Sequence, residues 1–127
     1  MTEAFPLRAF VTGRLPPSGF SHREHIAAAH ALLQRHDFAE SATIYAKAIR
    51  AMAAAAGEPQ KFHMTITVAM LSAIAERSAA PAQSFNAFAA ANPELFERDF
   101  LFRHYSPERL QCDFARTTFL LPDQCGH

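Results

Sequence analysis

The sequence predicts an all-α fold, a single domain built as a bundle of five to six helices. Apolar residues recur every three or four positions along several stretches, as they do on the buried face of an amphipathic helix. Capping residues such as Ser, Asp and Asn precede these stretches. In addition, 50% of the 127 residues are apolar and 12 are Phe, which is enough to build a hydrophobic core.

The N-terminal segment, residues 1–20, comes before the first long helix. Its prolines and glycines, including Pro16 and Pro17, exclude a long helix here. Its apolar side chains, Phe10 among them, indicate that the segment is extended and packs across the bundle. A short strand or one helical turn is expected at residues 7–12.

The first long helix is predicted from His22 to Arg35. Ser21 and Glu24 form a capping box, in which the hydroxyl accepts from the Glu24 amide and the carboxylate accepts from the Ser21 amide. Phe20, just before the cap, is placed to pack near the fourth helical position as a hydrophobic staple.

The second helix is predicted from Phe38 to Ala56, after an Asp37 cap. Gly57 supplies the left-handed residue that ends a helix, and the proline that follows bars its continuation. So few residues separate the first two helices that they must be antiparallel neighbours. The third helix, predicted from Gln60 to Arg77, is apolar almost all round and is therefore expected to be central.

The remainder of the chain is predicted to be helical in shorter pieces. After a loop at 78–83, helices are expected at 84–91, 92–103 and 107–119, followed by an extended tail at 120–127. A cap, a first-turn proline and a first-turn glutamate start each of the last two helices.

Charge and targeting signals restrict the partners and the compartment. Lys+Arg and Asp+Glu both number 12, so no basic excess indicates a nucleic-acid or anionic-membrane partner. No apolar run reaches the ~18 residues of a spanning helix, and the first residues lack the features of a secretory signal. We therefore expect a cytoplasmic protein in which Cys112 and Cys125 are thiols, with a single disulfide as the alternative.

Histidines are abundant, with seven in the chain, and three are predicted to converge. At 100° per residue, His22 and His25 fall on the same side of the first helix as Ile26. His63 opens the third helix and lies opposite the narrow polar stripe of that helix, which consists of Lys61, Thr65, Ser72 and Glu76. Because helices one and two run up and down, helix three begins where helix one began. The three imidazoles should meet at that end and face inward.

Converging imidazoles predict a metal site. His22, His25 and His63, with His104 as a further candidate ligand, suit a divalent transition metal such as Zn, Fe, Ni or Cu. Three protein ligands with open positions are typical of a catalytic site. The prediction is a small metal-dependent enzyme that acts on a small molecule, as a hydrolase, isomerase or oxygen-using oxidoreductase.

Three hydroxyl groups are candidates for catalytic roles in such an enzyme. They belong to Thr67, Tyr45 and Tyr105. Each also has a simpler interpretation: the tyrosines as packing residues, and the threonine as a donor to the carbonyl four residues before it.

The alternative function is a non-catalytic helical module that binds a protein or a small ligand. In that case the histidines are structural and bond to backbone carbonyls, hydroxyls and water. His30, His36 and His127 are interpreted as ordinary helix-face or tail residues. No Gly-rich phosphate loop, nucleophile elbow, CxxC pair or HExxH motif indicates another chemistry.

Three stretches carry a resemblance to a known family: Phe20 to Ile26, Phe62 to Thr67 and His104 to Leu110. Over roughly residues 18–123 the chain resembles a family of small uncharacterised bacterial helical proteins that share these landmarks. The resemblance implies the helical fold and the landmarks, and no particular reaction. Phe62 departs from the Tyr expected at that position. At the level of the fold alone, the chain is similar to DinB-type bundles that hold a divalent metal with three histidines.

Overall fold

The structure, a computed structural model, describes residues 5–78 and 83–124. This part of the chain contains α-helices and short 3-10 turns and no strand, so the all-α prediction is confirmed. The α-helices are α1 (Leu7–Val11), α2 (His22–Leu33), α3 (Phe38–Ala55), α4 (Met64–Arg77), α5 (Phe85–Ala91), α6 (Pro107–Gln111) and α7 (Asp113–Thr117). None of the helices in these ranges is long and apolar enough to cross a membrane.

The three longest helices, α2, α3 and α4, pack against one another pairwise. Residues 34–37 are the only connection between α2 and α3, which makes these helices antiparallel neighbours as predicted. The short helix α5 packs on α2, and α7 packs on α4. One hydrophobic core lies between the elements, and its members include Ile26, Leu32, Leu71, Ile74 and Phe88.

Local signals fix the start of α2 as predicted. The Ser21 hydroxyl accepts from the Glu24 amide at 3.3 Å, and the Glu24 carboxylate accepts from the Ser21 amide at 2.8 Å. The Phe20 ring lies 4.8 Å from the ring of His25, the fourth residue of the helix. The capping box and the staple are both confirmed, and they hold His22 and His25 in the first turn of α2.

The N-terminal segment packs across the bundle, as predicted, and forms the short helix α1. Phe10 is 1% exposed and belongs to the core. Its ring is stacked on that of Phe20, with the centroids 5.7 Å apart, and lies 6.1 Å from the ring of Tyr45. These aromatic contacts hold the segment against α2 and α3.

The predicted start of the third helix at Gln60 is wrong. Residues Pro59–Lys61 form a 3-10 turn, Phe62 is extended, and α4 begins only at Met64. His63 has the extended backbone of an N-cap, with φ −134° and ψ 108°, and its side chain accepts from the Ile66 amide. These residues between α3 and α4 allow the chain to reverse its direction.

The two C-terminal helices predicted at 92–103 and 107–119 are also wrong, because neither range forms one continuous helix. The first is replaced by two 3-10 turns, Pro93–Phe96 and Phe100–Arg103. The second is divided at Cys112, whose extended backbone (φ −73°, ψ 150°) separates α6 from α7. Short helices gain little from their own hydrogen bonds, so packing of the surrounding core decides their conformation.

The beginning of the tail, residues 120–124, contains no helix and is bound to the bundle. The Tyr105 hydroxyl donates to the Leu120 carbonyl at 2.7 Å. The amide and hydroxyl of Ser106 donate to the Asp123 carboxylate at 2.7 and 2.6 Å. The predictions for Cys125 and His127 lie outside the described residues, whereas Cys112 is exposed.

Candidate functional site

A cavity of about 570 Å³, here called the inner cavity, lies between α2, α3 and α4. Its volume falls within the range of small-molecule sites. His22 and His25 line it from the first turn of α2, and His63 lines it from the N-cap of α4. The structure thus brings these three histidines to one cavity. Most of the remaining wall is apolar and includes Phe20, Ile26, Ile49, Met52, Phe62 and Met70.

His63 is buried, and backbone groups engage both of its ring nitrogens. Nδ1 accepts a hydrogen bond from the Ile66 amide at 3.1 Å. Nε2 lies 2.7 Å from the Leu110 carbonyl oxygen, which can only accept, so Nε2 carries the proton and donates it. His63 is therefore neutral in this arrangement and has no nitrogen lone pair left for another partner.

His22 is exposed, and one of its ring nitrogens is engaged. Nε2 lies 3.1 Å from the Leu95 carbonyl oxygen and is therefore the donor. In the neutral ring, Nδ1 then keeps a lone pair that can accept a hydrogen bond. His22 also ties the first turn of α2 to the 3-10 turn Pro93–Phe96.

His25 has the most available imidazole in the cavity wall. Its ring is partly buried against Phe20 and makes no hydrogen bond to any described residue. Burial and the neighbouring His22 lower the pKa of His25 to about 4, against a smaller opposing effect of the Glu24 carboxylate. At neutral pH the ring is uncharged and offers one N–H donor and one nitrogen acceptor.

The three histidines do not form a metal-holding group in this arrangement. Among residues 5–78 and 83–124, no set of three or more His, Cys, Asp and Glu side chains is placed to hold a metal ion. The lone pair of His63, on Nδ1, would first have to lose the hydrogen bond from the Ile66 amide. The fourth candidate, His104, packs its ring 6.0 Å from that of Phe100 and is not among the described residues that line the cavity.

The candidate catalytic hydroxyls donate to backbone carbonyls. Thr67 donates to the carbonyl of His63, four residues before it, at 2.7 Å. Tyr45 donates to the carbonyl of His25 at 3.2 Å, and burial raises the pKa of Tyr45 well above its ordinary value. Both line the inner cavity, whereas Tyr105 is buried beside the tail and is not among the described residues in the cavity wall.

A second cavity of about 240 Å³, here called the outer cavity, shares part of its wall with the inner one. His22, Ile66 and Met70 line both. The other apolar residues of the outer cavity are Phe100, Leu101, Phe102 and Leu110.

The burial of His30 was not predicted from the sequence. This residue was interpreted as an ordinary helix-face residue, yet it is 4% exposed, and its ring lies 4.6 Å from that of Phe88. Its Nε2 is buried and has no hydrogen-bond partner among the described residues. Burial lowers the pKa of His30. Only the packing of α5 on α2 reveals this, and no local pattern predicts that contact.

Thr65, one of the residues in the narrow polar stripe of the third helix, is buried. Thr65 is 0% exposed because α7 covers that face of α4. Its hydroxyl donates to the Thr118 carbonyl at 2.6 Å and accepts from the Leu120 amide at 3.1 Å. His36, predicted to be a helix-face residue, lies instead in the connection between α2 and α3, with its ring nitrogen Nδ1 3.8 Å from the Glu40 carboxylate.

Comparisons of the chain with models of protein families, with curated proteins and with solved structures found no match.

Proposed function

We propose that the protein binds a small, mainly apolar molecule in the inner cavity. The observation that carries this proposal is a space of about 570 Å³ among three packed helices, with mainly apolar walls and, in His25, an imidazole with no hydrogen bond to a described residue. Small-molecule sites commonly combine an apolar wall with a few polar groups that orient the ligand.

His25 is the polar group that best suits the orienting role. The hydroxyls of Tyr45 and Thr67 already donate within the protein, and both nitrogens of His63 are engaged. The neutral His25 ring offers a donor and an acceptor to a hydroxyl, carbonyl or amide of the ligand. Because burying a charge beside this ring is costly, the inner cavity favours the uncharged part of a ligand.

Filling the inner cavity tests the proposal. The neutral fluorescent dye Nile red serves as the probe, with Ala53→Phe as the blocking variant, because Ala53 lines the cavity. Ala51→Phe is the matched control on the same helix, since Ala51 is exposed and is not in the cavity wall. We expect wild type and the control to bind the dye and Ala53→Phe to lose it. Equal dye affinity in the two variants would contradict the proposal.

A metal-dependent enzyme is the second candidate, because imidazoles from α2 and α4 line one cavity. His22 and His25 retain lone pairs for such an ion. His63 would join them through Nδ1 by giving up the hydrogen bond from the Ile66 amide, while Nε2 keeps its bond to the Leu110 carbonyl. The test is metal analysis of protein purified without a histidine tag. Stoichiometric metal that is lost in His63→Ala supports this candidate. No bound metal, together with no thermal stabilisation by added Zn, Fe, Ni or Cu ions, excludes it.

A further inference from the structure

The inner and outer cavities lie next to each other and have three lining residues in common. They share the side chains of His22, Ile66 and Met70. Ile66 is 38% exposed and His22 is also exposed, so the shared wall reaches the surface of the protein. A ligand longer than the inner cavity would reach the outer cavity along this exposed part of the shared wall, past Ile66 and His22.

The charged side chains that line the cavities differ in whether they have a partner. Glu58 and Lys61, in the inner cavity, pair with each other at 3.0 Å. Glu97, in the outer cavity, pairs with Arg103 at 2.9 Å. Arg98 also lines the outer cavity and makes no ion pair or side-chain hydrogen bond within residues 5–78 and 83–124. Its guanidinium is thus available for an anion.

We propose that the ligand is an apolar monocarboxylate whose head group binds Arg98 in the outer cavity and whose apolar body extends into the inner cavity. This rests on the proposed function, because it names the ligand class of the same site. A guanidinium holds a carboxylate through two parallel N–H donors. The single positive charge of Arg98 balances the single negative charge of a carboxylate. A doubly charged phosphate would instead leave an unbalanced negative charge beside Glu97. The apolar body matches the mainly apolar walls of the inner cavity.

The test compares two probes of equal chain length, decanoate and decanol, in a Nile red displacement assay. The measured quantity is the ratio of the decanol Kd to the decanoate Kd, which isolates the contribution of the carboxylate. We expect Arg98→Gln to lower this ratio about three- to five-fold, the size expected for a partly exposed charge pair. Arg35→Gln, at an exposed arginine that is not in either described cavity wall, should leave the ratio unchanged. Added salt should lower the ratio in wild type.

The outcomes separate this inference from the function on which it rests. A ratio that is the same in wild type and Arg98→Gln overturns the carboxylate inference, while dye displacement by either probe still supports a binding cavity. A ratio that falls equally in both arginine variants also overturns it, because a nonspecific charge effect then explains the result. Absence of Nile red binding to the folded wild-type protein, as judged by circular dichroism, contradicts the proposed function itself.

Discussion

The protonation of His25 should make the stability of this protein fall in mild acid. The pKa of His25 is about 4 in the folded protein, against an ordinary value of 6.5. Between these two values the unfolded chain binds a proton that the folded protein excludes, so the free energy of unfolding decreases as the pH falls. The loss begins near pH 6.5 and continues through pH 4. Integrating the linkage relation from pH 7 to pH 5 gives a loss of about 2 kcal/mol.

Urea denaturation at pH 7 and at pH 5 measures this effect, with His25→Gln as the perturbation. The variant cannot titrate at this position, so its stability should fall by about 2 kcal/mol less than that of wild type over the same pH range. Because the free energies of unfolding at the two pH values are compared within each variant, the contribution of altered packing against Phe20 is present at both and cancels. His36→Gln, at a histidine that lines neither described cavity, is the matched substitution in the same assay. If His25→Gln and wild type lose equal stability, the burial argument for His25 is refuted.

Two further predictions concern side chains that connect distant parts of the chain. His63→Ala should lower the free energy of unfolding by about 2–3 kcal/mol in thermal or urea denaturation, because it removes the α4 cap and leaves the Leu110 carbonyl without its donor. His63→Asn should recover about 1 kcal/mol, the part due to the cap, and equal losses in both variants would argue against a capping role. Thr65→Val should cost about 1–3 kcal/mol and make the C-terminal tail more sensitive to limited proteolysis, because the Leu120 amide loses its acceptor. Thr65→Ser keeps the hydroxyl and serves as the control, and identical proteolysis of the two variants would show that the tail is held by other contacts.

Local interactions explain what could be predicted from the sequence. The starts of α2 and α3 follow from caps within a few residues of each helix, at Ser21 and Asp37. The end of α3 follows from Gly57, whose φ of 76° few other residues adopt readily. These signals involve neighbours in the chain and need no knowledge of the fold. They place His22 and His25 in one helical turn, and the short α2–α3 connection places His63 at the same end of the bundle.

Long-range contacts explain what could not be predicted. The availability of each imidazole depends on partners far along the chain, because Leu95 is 73 residues from His22 and Leu110 is 47 residues from His63. Helical periodicity predicts which face of a helix a side chain occupies, but it does not predict which backbone carbonyl the side chain will bind. The same reason accounts for the burial of Thr65 beneath α7 and for the replacement of a predicted helix by 3-10 turns.

The sequence by itself determined that this protein is helical, where its first long helices begin, and that three histidines gather at one end of the bundle. Only the tertiary structure decided that these histidines line an apolar cavity, and that both ring nitrogens of His63 are engaged while those of His25 are available. The physical reason is that helix formation and capping depend on residues a few positions apart. The state of a buried imidazole depends instead on whichever backbone groups the folded chain brings to it.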